Sequence, residues 1–506
     1  MSAIRGESWP LLACVVAAII LAAPLWLVGM PAMPDYPAHL AGFWLIGGGA
    51  ASHYSVAWDF VPNLASEVAV PALAKIMPLE FAARLFLTAT VALWVLGPAL
   101  IQHALFGRIG FGVVIAALFA YNANFIWGFF NYTFAAGAGM VVFALWIMAD
   151  ARHSIVQHTG FAVAFLLLYF AHLFAFAVTI LAIVCFELSN PRDLVRRAAS
   201  FALLCLPAAA AFLFLKPPGA GSGNLAFNLA DTARDRIEAA IQFGFDDPAT
   251  YLTLALAVLA FAALLTRRAT VHPRMRGVLA VFATAAVFAP EWAFGGWGVH
   301  LRLPAVLGAL AFASLDWRLS PRWQAAAGTS ALLAVATCAT LLTQNWRQFN
   351  AQYAEFRAHV ADVGLHGRVL TVLDGDSLGW SADQPYWHMA ALAVIDRDAF
   401  TPLMFTTAGQ HIVHARSPLD HIAAATAAQG SPPDIDELDD LAAGHMEVDE
   451  DYRDIYPYLA RFQCHFDQAV VIRGNGQRSR IPRTLRLVAD HSFYAVYDIV
   501  PDSQCR

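Results

Sequence analysis

Asp35 and His39 stand in the segment Pro34-Asp35-Tyr36-Pro37-Ala38-His39-Leu40, just after the first long apolar run. They are spaced i and i+4, so a helix through them puts a carboxyl and an imidazole on one face. A carboxylate at a membrane surface can act as general base toward a hydroxyl, and a neighbouring imidazole can bind phosphate or tune that carboxylate. The plain alternative is an aspartate that only caps the helix N-terminus. Glu67 follows in Asn63-Leu64-Ala65-Ser66-Glu67. There it is either a first-turn acid offsetting a helix dipole or a carboxylate kept near the membrane for a purpose. His172 lies between Ala171 and Leu173 inside apolar sequence. An ionisable group at that depth is a functional candidate, and a neutral imidazole bonded between helices is the structural alternative. His300 and Arg302 open a later apolar run. Arg302 suits bidentate phosphate binding, or else it snorkels to the interface. Asp35 is thus the catalytic candidate, and His39, Glu67, His172, His300 and Arg302 are the substrate-binding candidates.

The elements that must position these groups are set by composition. Of 506 residues, 59% are hydrophobic and 13% charged, against about 25% charged in a soluble domain. The shortfall is confined to residues 11–343; from 345 onward the composition is that of an ordinary globular protein. A bilayer span needs about 20 apolar residues. We read about eleven spans, at 11–30, 79–104, 109–121, 129–148, 161–170, 172–188, 199–216, 249–266, 278–290, 301–315 and 323–343. The first is read as a retained helix, because further spans follow it. The pair 161–188 is expected as two short helices meeting near His172.

Arg108, Arg152, Arg192, Arg196, Arg197, Arg267, Arg268, Arg274, Arg276, Arg318 and Arg322 fall in alternate loops. The opposite loops hold only Lys75, Lys216, Arg234, Arg236 and Arg302. That asymmetry predicts a cytoplasmic N-terminus and an outward C-terminus, which is periplasmic in a bacterial inner membrane. The expected fold is a mainly α polytopic membrane protein, residues 1–344, with a C-terminal periplasmic α/β domain, residues 345–506. In the long first outer loop, 31–78, amphipathic helices at 36–46 and 64–76 are expected to lie on the outer leaflet. The run from Tyr121 to Tyr132 reads as an interfacial aromatic belt.

In the C-terminal part, strands are expected at 367–373, 468–472 and within 486–500, and a helix at 387–396. No GxGxxG, P-loop or GxSxG is present there. The net charge of −6 argues against a nucleic-acid partner. Cys14, Cys185, Cys205 and Cys338 lie in apolar spans and read as packing residues. Cys464 and Cys505 share the outward part, where they either pair as a disulfide or stay free thiols.

The long first outer loop, with Pro34-Asp35-Tyr36-Pro37-Ala38-His39 and then Trp58-Asp59-Phe60-Val61-Pro62-Asn63-Leu64, resembles that of the GT-C superfamily of membrane glycosyltransferases. The resemblance implies inverting transfer of a sugar from a polyprenyl-phosphate-linked donor to a glycan or lipid acceptor of the cell envelope, on the outer face of the membrane. It implies Asp35 as the base that deprotonates the acceptor hydroxyl, and Arg302 as a clamp on the lipid phosphate. The sequence lacks the Asp-Asp or Asp-x-Asp pair that many members carry, so it gives no support to a divalent metal, and no cofactor is expected. Two rival functions share the layout. A lipid-linked sugar transporter or flippase predicts inverted repeats and midplane charges, whereas no repeat is evident and only His172 lies deep in a span. A non-catalytic assembly component of an envelope-polysaccharide system would use the outer part as a binding surface.

Overall fold

The computed structural model describes residues 4–50, 52–149, 155–190, 194–215, 225–229, 232–241, 247–293, 296–378, 384–426, 432–443, 456–474 and 476–505. Arg152, Arg192 and Lys216 of the charge pattern lie outside the described residues. The apolar segments are helical throughout. Helix α1 (Ile4–Leu27) leads into the long loop expected as the first outer loop, which carries α2 (Tyr36–Ile46), strand β1 (Tyr54–Val56) and α3 (Ala65–Ala74). Then come α4 (Leu79–Phe106), α5 (Gly112–Ala116), α6 (Ala123–Trp127), α7 (Phe130–Met148), α8 (Ile155–Ala171) and α9 (Leu173–Leu188). After α10 (Leu194–Phe214), α11 (Ala233–Ile241) and α12 (Asp247–Leu265), the chain forms β2 (Ala269–Val271), α13 (Met275–Phe288), α14 (Val299–Ala313) and β3 (Leu315–Trp317). The helical part ends in α15 (Pro321–Ala358).

Among the described residues, four helices have the length and apolarity to cross a bilayer: Trp9–Leu27, Leu79–Phe106, Phe130–Met148 and Pro321–Ala358. The protein is membrane-embedded. The other expected spans are also apolar helices. The break near His172 has a local cause: its backbone is extended (φ −167°, ψ 121°), which ends α8 and lets His172 cap α9. Small residues let α4 and α7 approach closely. A Cβ on Gly97 would stand 2.7 Å from that of Met140, and one on Gly137 would stand 2.9 Å from that of Leu93.

Several arginine-bearing loops meet at one end of the bundle. There Arg108 pairs with Asp316 at 2.5 Å, β2 pairs antiparallel with β3, and Arg274 lies 3.7 Å from Glu187. At the other end α15 continues unbroken past residue 345 into the C-terminal part. Arg357 there pairs with Glu80 of α4 and, at 3.2 Å, with Asp396.

The C-terminal part contains β4 (Val369–Leu373), α16 (Gly375–Leu378), α17 (Leu392–Arg397), β5 (Val413–Ala415), β6 (Gln468–Ile472), β7 (Leu485–Asp490) and β8 (Tyr494–Ile499). Its four-stranded sheet has the order β4-β6-β8-β7, with β4 and β6 parallel and the other pairs antiparallel. Both parallel strands are buried along their whole length, as expected of strands covered on two faces. The expected 486–500 strand is the β7–β8 hairpin, and the helix at 387–396 begins as a 3-10 turn, Met389–Ala391, before α17. Cys464 and Cys505 form a disulfide.

The first outer loop departs most from expectation. Helix α2 does not lie on a leaflet. Nearly all of it is buried, and it packs against α3, α4 and α17. The reason is in its sequence: His39 is the one polar side chain in Tyr36–Ile46 apart from the Tyr36 hydroxyl and the Trp44 N–H, and a helix apolar all round is buried rather than amphipathic. Beyond it β1 pairs antiparallel with β5, with Tyr54 opposite Ala415 and Val56 opposite Val413. The first outer loop is thereby stitched to the C-terminal part.

The disulfide closes a sequence separation of 41 residues, worth about 4 kcal/mol in the chain-entropy account. Replacing both cysteines by serine should lower the thermal stability of the C-terminal part, read by thermal unfolding of the full chain in detergent. An unchanged melting curve would show that the bond is not what holds that terminus.

Candidate active site

Asp35 occupies the N-cap position of α2, yet its side chain makes no capping hydrogen bond. The carboxyl is turned instead into the interface with the C-terminal part. It is 8% exposed, and Oδ1 lies 3.5 Å from Nε2 of His388. The turn between α6 and α7 backs it: the Asp35 N–H donates to Trp127 O at 3.1 Å. Gly128 has φ +106°, and a Cβ there would stand 2.6 Å from Cβ of Asp35. His388 is also buried, with Nδ1 2.7 Å from the Leu403 carbonyl. Burial pushes the Asp35 carboxyl up to about 8. It pushes the His388 imidazole down to about 4, against the opposing effect of the Leu403 bond. Both groups therefore favour their uncharged forms.

One turn further along α2, His39 stacks on Phe130 at 4.5 Å and meets the tilted ring of Phe405 at 4.7 Å. Phe405 also stands 5.4 Å from the rings of both His388 and His411. His39, Glu67, Phe405 and His411 help line a small open cleft between α2 and the segment 404–413. Burial, then neighbouring imidazoles, hold His39 down at about 3, and burial holds His411 at about 4. Glu67 sits in the first turn of α3 and is buried rather than facing solvent. Its Oε2 receives Asn131 Nδ2 at 2.7 Å and lies 3.0 Å from Ser66 Oγ. Burial pushes it up to about 7, with the Asn131 bond opposing. Three titratable groups, His39, Glu67 and His411, thus face a cleft otherwise lined by apolar residues. Among the described residues no three His, Cys, Asp or Glu side chains converge to hold a metal ion.

The remaining candidates lie on the far side of the same turn. Arg302 holds its guanidinium 5.5–5.6 Å from the rings of Phe129, Tyr132 and Phe174. Its Nη2 donates to Trp297 O at 3.2 Å, and its Nε is buried without a hydrogen-bond partner. His172 stands 5.4 Å from Tyr132, but its Nδ1 accepts from the N–H groups of Phe174 and Ala175 at 3.2 and 3.4 Å. It caps its own helix instead of bonding across helices. His300 is buried, its Nε2 3.9 Å from Asp235.

The sequence candidates thus form two groups: Asp35, His39 and Glu67, of which His39 and Glu67 line the cleft and Asp35 lies one turn away at the N-cap of α2, and Arg302 and His172 about an aromatic cage, with His300 packed beside Trp297. The stretch Gly128–Tyr132 joins them. Phe130 stacks on His39, Asn131 bonds Glu67, and Phe129 and Tyr132 flank Arg302. The run expected as an interfacial belt is buried and forms this partition, because its amides and rings find partners inside the protein. Sequence reading missed His388, Phe405, His411 and the role of Asn131. Only Asn131 had a local signal, an amide within that aromatic run.

No protein-family model matches the chain, and no curated protein does. Solved structures do resemble it. The crystal structure of ArnT from Cupriavidus metallidurans bound to undecaprenyl phosphate superposes with a TM-score of 0.51 at 13% identity, covering 98% of this chain and 99% of that one. The apo state of that protein gives 0.52 at 12% identity, with the same coverage. The arabinofuranosyltransferase AftD from Mycobacteria gives 0.50 at 16% identity, covering 98% of this chain and 40% of AftD. The chain shares the fold of these structures, a GT-C-like fold. The GT-C likeness runs almost end to end, so it takes in the C-terminal part that carries His388 as well as the membrane helices.

An acid whose folded-state pKa is raised stabilises the fold in full below its unfolded value, near 3.8, and loses that contribution as pH climbs through about 8. Asp35→Asn, neutral at every pH, should match wild type in thermal unfolding at about pH 4 and exceed it by a growing margin as pH rises, by several degrees at about pH 9. Parallel curves at both pH values would contradict the buried acid. Gly128→Ala adds a Cβ in left-handed backbone, at about 1–2 kcal/mol, and pushes on Asp35. It should lower both stability and whatever activity depends on Asp35; a variant with wild-type stability would show that the turn gives way freely.

Proposed function

We propose that the protein transfers a sugar from a polyprenyl-phosphate-linked donor to a hydroxyl of an envelope acceptor, with inversion, on the outer face of a bacterial inner membrane. The observation that carries this reading is the Asp35 carboxyl, buried beside His388 where the first outer loop meets the C-terminal part of a GT-C fold. A buried carboxyl poised near neutral pH suits a general base. In the step, the carboxylate of Asp35 takes the acceptor's hydroxyl proton and the acceptor oxygen bonds to the anomeric carbon. The anomeric carbon–oxygen bond to the lipid phosphate breaks, and its electron pair leaves with the phosphate. A single displacement inverts the centre. Arg302, with a buried Nε free of protein hydrogen bonds, is suited to receive the phosphate charge. The ArnT structure bound to undecaprenyl phosphate supports a lipid-phosphate donor.

The meeting of arginine-bearing loops at one end of the bundle supports a cytoplasmic N-terminus and a periplasmic C-terminal part. Residues 1–344 and 345–506 then act as a membrane unit and a periplasmic unit sharing one site.

A deletion strain complemented with wild type should regain an envelope glycan. Asp35→Asn and Asp35→Ala, at equal membrane abundance, should fail by about 100-fold or more. Full restoration by both would move the lipid-linked sugar transporter and assembly-component readings ahead. Glu67 lines the cleft, and this favours a second reading in which it is the base. Loss in Glu67→Gln with restoration by Asp35→Asn would select that reading. Arg302→Lys keeps the charge but loses the planar fork. It should weaken binding of undecaprenyl phosphate to the purified protein about tenfold; unchanged binding would remove Arg302 from the phosphate site.

A further inference from the structure

The C-terminal part contributes more than a cover to the site. The Nδ1 of His388 lies 2.7 Å from the Leu403 carbonyl. A carbonyl can only accept, so Nδ1 carries the hydrogen and the neutral ring turns the bare lone pair of Nε2 toward Asp35. A bare lone pair favours a protonated carboxyl, which can donate to it, over a carboxylate, which cannot. We infer that His388 is the positioning residue of Asp35: its bare Nε2, 3.5 Å from Oδ1, favours the protonated carboxyl, and the C-terminal part thereby sets when the base is available. This inference rests on the reading of Asp35 as base.

The proton count closes. At rest the proton is on the Asp35 carboxyl, 3.5 Å from Nε2. Its loss to water leaves an aspartate beside a neutral imidazole. The carboxylate then accepts the proton of the attacking hydroxyl. The negative charge leaves with the lipid phosphate. Among titratable groups nearby, His39 on α2 feels both His388 and His411, and Glu67 on α3 shares the adjoining cleft with His39 and His411. His39 and His411 are held neutral by burial. Glu80, Arg84 and Arg357 act on the adjoining Tyr36.

The test is a pH titration of the purified full-length protein in lipid nanodiscs, following the carboxylic-acid carbonyl band in the infrared. The band belonging to Asp35 is the one removed by Asp35→Asn. In wild type it should fade through about pH 8. In His388→Gln the amide can donate to the carboxylate, so the midpoint should fall by about one pH unit or more, about tenfold in the acid constant. His388→Asn is the second variant should Gln fail to fold, with the same direction expected. A merely structural histidine would leave the midpoint in place, and an unmoved midpoint in the folded variant overturns the inference. Failure of the functional reading shows elsewhere, as restoration of glycan by Asp35→Asn, and that outcome leaves the infrared midpoint untouched.

Discussion

Strand β1 pairs with β5, and the site depends on that short stretch of backbone bonding. It holds the C-terminal part over the first outer loop. Side-chain ties reinforce it: the Tyr54 hydroxyl donates to Thr401 O at 2.8 Å, Arg416 donates to Tyr54 O at 2.7 Å, and the Ser52 N–H donates to Asp398 at 2.8 Å. With the seam closed, α2 is buried on both sides. Asp35 then faces His388, and His39 faces Phe405. Without it, α2 would present an apolar surface and a solvated carboxylate with an ordinary pKa.

Burial is the source of the chemistry. The same desolvation that raises Asp35 and Glu67 lowers His39, His388 and His411. Acids and bases are thereby drawn toward uncharged forms that exchange protons readily. The fold gives up stability to keep these groups inside, a usual mark of a functional site. Arg302 keeps its charge at the end of a membrane helix by lying among aromatic rings, which offer it a negative π face. The Gly128–Tyr132 stretch separates the two environments and contacts both, so the buried carboxyls and the guanidinium are held at a fixed spacing.

The sequence by itself determined the membrane region, because apolar runs near bilayer length can hide their backbone polar groups only as helices. It determined the break at His172, the strand 468–472 and the asymmetry of arginines. It also singled out Asp35, His39 and Glu67, since carboxyl and imidazole groups in a mostly apolar loop are conspicuous. Tertiary structure alone decided what they face. His388, Phe405 and His411 come from the far end of the chain, and no local pattern announces a pairing made by β1 with β5. The same limit explains the misreadings of α2 and of the Tyr121–Tyr132 run. An apolar helix and an aromatic turn look alike in sequence whether lipid or protein covers them. Periodicity reports that a face must be covered, and only the packing of distant segments reports by what.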